Sequence, residues 1–317
     1  MILALAGGVG GAKLAQGLAM RLPPEQLLVV VNTGDDFIHL GMHISPDVDT
    51  VMYWLSGIND RPRGWGLAGE TWNFMAALGR LDGPTWFNLG DGDLATHVAR
   101  TQRLAQGETL SQVTRHLCSR LGVAHHIAPM TDQSVRTIVH TADEALAFQD
   151  YFVRLHCEPV VTDITFDGAE DAVPSPAFAA ALADPTLRAI VICPSNPLLS
   201  IEPILSIPGL RERLRQMRVP VVAVSPIVGG QAIKGPAAKI FRELRRDASV
   251  VGVAEHYRGL VQGLVIDTVD ISAQPAIEAF GMRVAVTDSV MKSATDQERL
   301  AGEVLALAAQ LSEAAHA

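Results

Sequence analysis

Ile2 to Ala6 is an unbroken apolar run that stops abruptly at Gly7-Gly8-Val9-Gly10-Gly11, and the residues beyond it place Leu14, Leu18 and Leu22 at helical spacing. A short apolar run, a glycine turn and a helix-period stretch form the opening of a parallel βαβ unit. The same alternation returns along the chain, with strand candidates at Leu27 to Val31, Ala189 to Cys193, Val219 to Val224, Gly263 to Asp267 and Val284 to Thr287. The pattern predicts an α/β fold, a Rossmann-like parallel sheet flanked by helices. In such open sheets the ligand crevice lies at the carboxyl ends of the strands, where this chain carries its polar, Gly and Pro turns.

The stretch from about 107 to 183 breaks the rhythm. It reads as a helix at Leu110 to Leu121, short strands near Val135 to His140 and Pro159 to Phe166, and a helix at Asp143 to Leu155 between them. We therefore expect a single catalytic unit, with a nucleotide-binding core of about 1–106 and 184–317 and an inserted α/β subdomain of about 107–183. Asp296 to Ala317 carries Leu300, Val304, Leu307 and Leu311 at helical spacing and predicts a closing amphipathic helix.

Composition narrows the function. The 317 residues carry a net charge of -9, which argues against a sequence-independent grip on nucleic acid. No apolar run approaches the roughly 20 residues of a membrane helix, and the N-terminus lacks the features of a signal peptide. Cys118, Cys157 and Cys193 are widely spaced and unpaired in pattern, so they read as reduced core thiols of a cytoplasmic protein.

Four segments carry the chemistry. The loop containing Gly8, Gly10, Gly11 and Lys13 fits an anion at a helix N-terminus, although its spacing is neither Walker A nor GxGxxG. Asn32-Thr33-Gly34-Asp35-Asp36, with Asp47 and Asp49 soon after, crowds four carboxylates near that loop, a set suited to Mg2+; helix capping by Asp47 or Asp49 is the plainer alternative. Trp65 and Trp86 could wall a pocket for a flat ring or simply fill core, while Thr96 and Arg100 in the string Asp91, Asp93, Thr96, His97, Arg100 share a helix face. Finally, Ser195-Asn196 and Ser225 sit in Pro-bounded turns after successive strands and suit a base or phosphate, with Lys234 either a phosphate contact or a solvated lysine.

In this order, the segments GGVGGAKL, NTGDD, SPDVDTVMYWLSG, GWG, WFNLGDGDLATHVART, PSNPLLSIEPIL and SPIVGGQAIKGPAAK resemble the 2-phospho-L-lactate transferase family of coenzyme F-420 biosynthesis, over nearly the whole chain. The resemblance implies a Mg2+-dependent transfer from a guanosine-diphospho acid to the ribityl hydroxyl of the deazaflavin Fo, with GMP leaving. It also implies that Asp35, Asp36, Asp47 or Asp49 hold the metal and that the glycine loop and Ser195-Asn196 hold the guanosine diphosphate part. Trp65, Trp86 and residues 91–100 would border the deazaflavin, and relatives imply a homodimer. Gly92 stands where such relatives usually carry a basic residue, a departure that bears on which acid (lactate, enolpyruvate or glycerate) is transferred. Two other classes compete. A non-catalytic nucleotide-sugar-binding regulator would not need the clustered carboxylates, and a dinucleotide oxidoreductase, to which Asp35 would fit, would need a different glycine spacing.

Overall fold

The computed structural model describes residues 1–233 and 235–316. Seven parallel strands form the main sheet, in the spatial order Arg283–Thr287, Gly263–Asp267, Val221–Val224, Ala189–Ile192, Ile2–Ala6, Leu27–Val31, His126–Pro129. Counted along the chain this is 7-6-5-4-1-2-3, so the winding reverses between Ile2–Ala6 and Ala189–Ile192. That reversal opens a crevice above the two strand ends.

Both faces of the sheet are covered, which is why its strands are continuously apolar rather than alternating. Leu3, Leu5, Leu28 and Val30 face one core, and Ile2, Ala4, Leu27 and Val29 face the other. The helix Gly8–Arg21 lies on the second face, where it crosses the closing helix Ala294–His316. Gly17 permits the crossing, because a Cβ there would stand 2.1 Å from the Gln297 carbonyl oxygen.

The six expected strands are all in the sheet, within two residues at their ends. The seventh, His126–Pro129, was absent from the sequence reading: only Ile127 and Ala128 are apolar between its terminal His and Pro. It lies inside the stretch read as an insertion, which the structure divides. Helix Leu110–Arg120 and strand His126–Pro129 join the main sheet, while Arg136–His140, Ala145–Ala147 and Asp163–Asp167 form a separate three-stranded antiparallel sheet. Val139, Leu146, Tyr151 and Val161 of that part share one core with Leu5 and Ile192.

The helix expected over Asp143 to Leu155 is replaced by the strand Ala145–Ala147 and a π-helical turn, Asp150–Arg154. Pairing of Leu146 with Val139 overrides the local helical tendency. Cys118 and Cys193 are core thiols as expected, whereas Cys157 is only half-buried.

Candidate active site

A cleft of about 540 Å³ opens at the winding reversal. Its floor is the turn from Ile2–Ala6 into helix Gly8–Arg21. Gly10 and Gly11 are glycines for contact reasons: a Cβ on Gly10 would meet the Pro194 carbonyl oxygen at 2.2 Å, and one on Gly11 would meet Ser195 Oγ at 2.5 Å. The helix N-terminus is thereby drawn against the strand end at Cys193. Gly8 and Gly10 line the cleft and Gly11 serves packing.

Ser195 clasps the same turn, since its Oγ accepts from the Gly7 amide at 2.9 Å and donates to the Gly7 carbonyl at 2.8 Å. Asn196 Oδ1 accepts from the amides of Leu198 and Leu199 and caps the turn that follows. Ser225 Oγ folds onto Ile227. All three line the cleft with their side-chain oxygens already engaged, so what they offer a ligand is a shaped wall and, at Asn196, the amide NH2 group. Lys13 also lines it and donates to the Met291 carbonyl at 2.7 Å. Lys234 lies outside the described residues.

The four early carboxylates do not act alike. Asp35, Asp47 and Asp49 line the cleft, whereas Asp36 lies behind it, accepting from Ser45 Oγ at 2.7 Å with His43 3.9 Å away. Asp47 accepts from the Gly8 amide at 2.8 Å and from Asn32 Nδ2 at 3.0 Å, while Asn32 Oδ1 accepts from the Gly34 amide. Neither Asp47 nor Asp49 is the N-cap of helix Pro46–Ser56; that place belongs to Ser45. Thr33 is buried in the turn before Asp36 and does not line the cleft.

Burial, followed by the charge of Asp47, pushes the Asp35 carboxyl well above the usual carboxylate range. Asp47 is itself pushed up to about 6 by burial, against the pull of the Asn32 and Gly8 hydrogen bonds. Two desolvated carboxylates pressed together in a cleft favour protonation or a cation.

Helix Asp91–Ala105 supplies the other wall. Arg100 is 1% exposed and grips Asp49 with both terminal nitrogens. His97 lies between Asp49, at 3.6 Å, and Asp93, at 3.3 Å, and Tyr53 donates to Asp93 at 2.6 Å. Burial drives Asp93 up, but the hydrogen bond and charge of His97, with Tyr53 and Arg100, bring it below the ordinary value. Asp49, Asp93 and His97 each present a ligand atom within 4.8 Å of the others. The sequence reading paired Thr96 with Arg100 on one face of this helix; the pairing of Asp93 with His97 one turn apart, and their meeting with Asp49, it did not give. Tyr53 was missed, although it lies on the same helix as Asp49.

Three candidates have other work. Asp91 accepts from Thr71, from the Asn73 side chain and from the Asn73 and Phe74 amides, so it ties down the start of helix Asn73–Arg80 and does not line the cleft. Trp86 packs with Phe37, His39 and Phe87, and of these four it is Phe87, not Trp86, that lines the cleft. Thr96 is buried beside Tyr53. Trp65 does line the cleft, as do Phe148 and Phe152, whose rings stack 5.3 Å apart. Glu70, not singled out beforehand, accepts from the amides of Gly92 and Asp93 and fills the N-terminus of their helix. A side chain on Gly92 would meet Leu67 at 3.2 Å and the Glu70 carboxylate at 3.3 Å.

Fold and site together define a doubly wound α/β protein with an acidic, aromatic-walled ligand cleft at its winding reversal. The chain belongs to the 2-phospho-L-lactate transferase CofD family, whose model matches residues 2–301. It is therefore a transferase of coenzyme F-420 biosynthesis. It is 40% identical to a phosphoenolpyruvate transferase of Kitasatospora aureofaciens over 98% of each chain. It is 36% identical to a 2-phospho-L-lactate transferase of Methanococcoides burtonii, covering 98% of this chain and 100% of the relative. Among solved structures, a UPF0052 family member from Bacillus halodurans superimposes with a TM-score of 0.63 at 14% identity, over 96% of this chain and 98% of that one, a likeness of fold.

Proposed function

We propose that the cleft transfers a phosphorylated acid from a guanosine-diphospho donor to the terminal ribityl hydroxyl of Fo, releasing GMP. The observation that carries this reading is the convergence of the glycine-rich helix N-terminus with the carboxylates of Asp35, Asp47, Asp49 and Asp93 in one cleft. A helix N-terminus favours a phosphate, and carboxylates beside a phosphate site suit a Mg2+ that neutralises both.

The donor set fits such a cation. Asp35 and Asp47 are buried, mutually repelling oxygen ligands, and Asp49 and Asp93, with His97, each present a ligand atom within 4.8 Å of the others. When bound, Mg2+ would neutralise diphosphate charge and stabilise the departing GMP. The chain's own contribution is positioning. Arg100 holds Asp49, Tyr53 and His97 hold Asp93, and Asn32 with the Gly8 amide holds Asp47, so the acidic wall stays rigid while the substrates change. Trp65, Phe148 and Phe152 offer flat apolar surface to the deazaflavin.

Among lactate, enolpyruvate and glycerate, enolpyruvate is favoured: the relatives at 39–40% identity are phosphoenolpyruvate transferases, and at 36–37% stand lactate enzymes together with a further phosphoenolpyruvate transferase, from Nocardia farcinica. The protein acts on small molecules, without nucleic acid, and as a homodimer. Purified protein mixed with Mg2+, Fo and each guanosine-diphospho acid should form GMP and the matching deazaflavin product by mass spectrometry, and chelation should abolish both. Binding of Fo or nucleotide without product from any donor would favour a non-catalytic binding protein instead.

A further inference from the structure

Among the described residues lining the cleft, the permanently charged cations are Lys13 and Arg63. They occupy different regions. Lys13 belongs to the glycine-rich helix at the strand ends, where a nucleotide diphosphate is expected. Arg63 belongs to the loop between helix Pro46–Ser56 and helix Asn73–Arg80, which also brings Trp65 to the cleft.

That loop is braced. Asn59 pairs with Leu67 as an isolated bridge, the Asp60 amide donates to the Gly66 carbonyl at 3.0 Å, and the Gly64 amide donates to the Asp60 carbonyl at 2.7 Å. Gly64 and Gly66 both have positive φ, 88° and 69°, so the bend around Trp65 is one that a side chain would strain. The Asp60 carboxylate then accepts from the Arg63 amide and from Arg63 Nη2, each at 2.8 Å. The guanidinium carbon stands 5.0 Å from the ring centroids of both Trp65 and Trp72. Side chain and loop hold each other in place, and the remaining terminal nitrogen, Nη1, is buried without a hydrogen-bond partner among the described residues.

A guanidinium fixed on aromatic faces, with one terminal nitrogen paired and the other buried but unpartnered, lacks one hydrogen bond that an anion entering the cleft can supply. Within the donor, the diphosphate has the glycine loop and Lys13, and the anion left to be read is the carboxylate of the transferred acid. We propose that Arg63 binds that carboxylate through Nη1 and so selects an acid-bearing donor over a bare guanosine diphosphate. This rests on the transferase reading above.

The test compares wild type, Arg63→Gln and Arg63→Lys by calorimetric titration with guanosine-diphospho-enolpyruvate, guanosine-diphospho-lactate and guanosine-diphospho-glycerate and with GDP, in Mg2+, alongside steady-state kinetics. Arg63→Gln is expected to weaken binding of the acid-bearing donor about tenfold, the effect of one lost charge-assisted hydrogen bond, and to raise its KM while leaving GDP affinity unchanged. Arg63→Lys, which lacks the fork and the planar stack, should recover only part of the loss. Equal weakening toward donor and GDP would mean that Arg63 merely shapes the loop and would overturn the proposal, as would a change confined to the KM for Fo or no change at all. Should wild type bind GDP but no guanosine-diphospho acid, the transferase reading fails and the role of Arg63 with it.

Discussion

Asp47 Oδ1 accepts a 2.8 Å hydrogen bond from the backbone amide of Gly8, so the acidic cluster is fastened directly to the glycine-rich helix start. Its other oxygen accepts from Asn32 Nδ2, and Asn32 cannot flip without losing the Gly34 amide. Asp47→Asn therefore sets one NH2 group against another or strands the Gly8 amide, and should cost about 1–3 kcal/mol in urea denaturation as well as activity. The double variant Asn32→Asp with Asp47→Asn restores a donor–acceptor pair. It should regain most of the stability without regaining turnover, because the carboxylate is then displaced from the cleft wall.

Contact, rather than composition, sets the cost of glycine substitution. Gly10→Ala would force a Cβ to 2.2 Å from the Pro194 carbonyl and should lose about 1–3 kcal/mol, together with activity, since the helix start must move. In helix Asn73–Arg80, Gly79→Ala meets nothing nearer than Thr85 at 3.6 Å and should gain up to about 1 kcal/mol. Equal effects in thermal unfolding would show that the first helix does not press on the Pro194 turn.

The Arg100–Asp49 pair is buried on both sides. Replacing Arg100 by Met leaves the Asp49 carboxylate facing His97 and Asp93 and should destabilise by about 3–5 kcal/mol. Replacing both, Arg100→Met with Asp49→Leu, should cost far less than the sum in the same denaturation assay, while activity stays low.

Asp36 carries a pH signature. Burial raises its carboxyl to about 7, against the usual 3.8, with only the Ser45 hydrogen bond and the charges of Arg136 and Arg100 opposing. The folded state therefore holds this proton more tightly than the unfolded chain does. Its contribution to stability is greatest below about pH 4, declines as pH rises through the window from 3.8 to about 7, and is level above it. Urea midpoints from pH 4.5 to 7.5 should fall less steeply for Asp36→Asn than for wild type; parallel slopes would show that Asp36 does not titrate in that range.

Periodicity alone determined six of the seven strands of the main sheet. Continuous apolar runs such as Leu27 to Val31 can be satisfied only where both faces are covered, and a glycine cluster after the first run calls for a helix packed close against it. The strand His126–Pro129 escaped because two apolar residues carry no periodic signal, and the strand Ala145–Ala147 because its partner Val139 supplies what local propensity does not. The site divides in the same way. Polar residues at the ends of buried strands announced where a ligand would lie, since such residues have no place in the core beneath. Which of them face it was decided by packing between segments distant in sequence. The Ser45 hydroxyl holds Asp36 behind the cleft wall, the start of helix Asn73–Arg80 claims Asp91, and Phe37 and Phe87 claim Trp86. Arg63 reaches the cleft because Asp60, Trp65 and Trp72 fix its guanidinium, a geometry that exists only once the loop has folded.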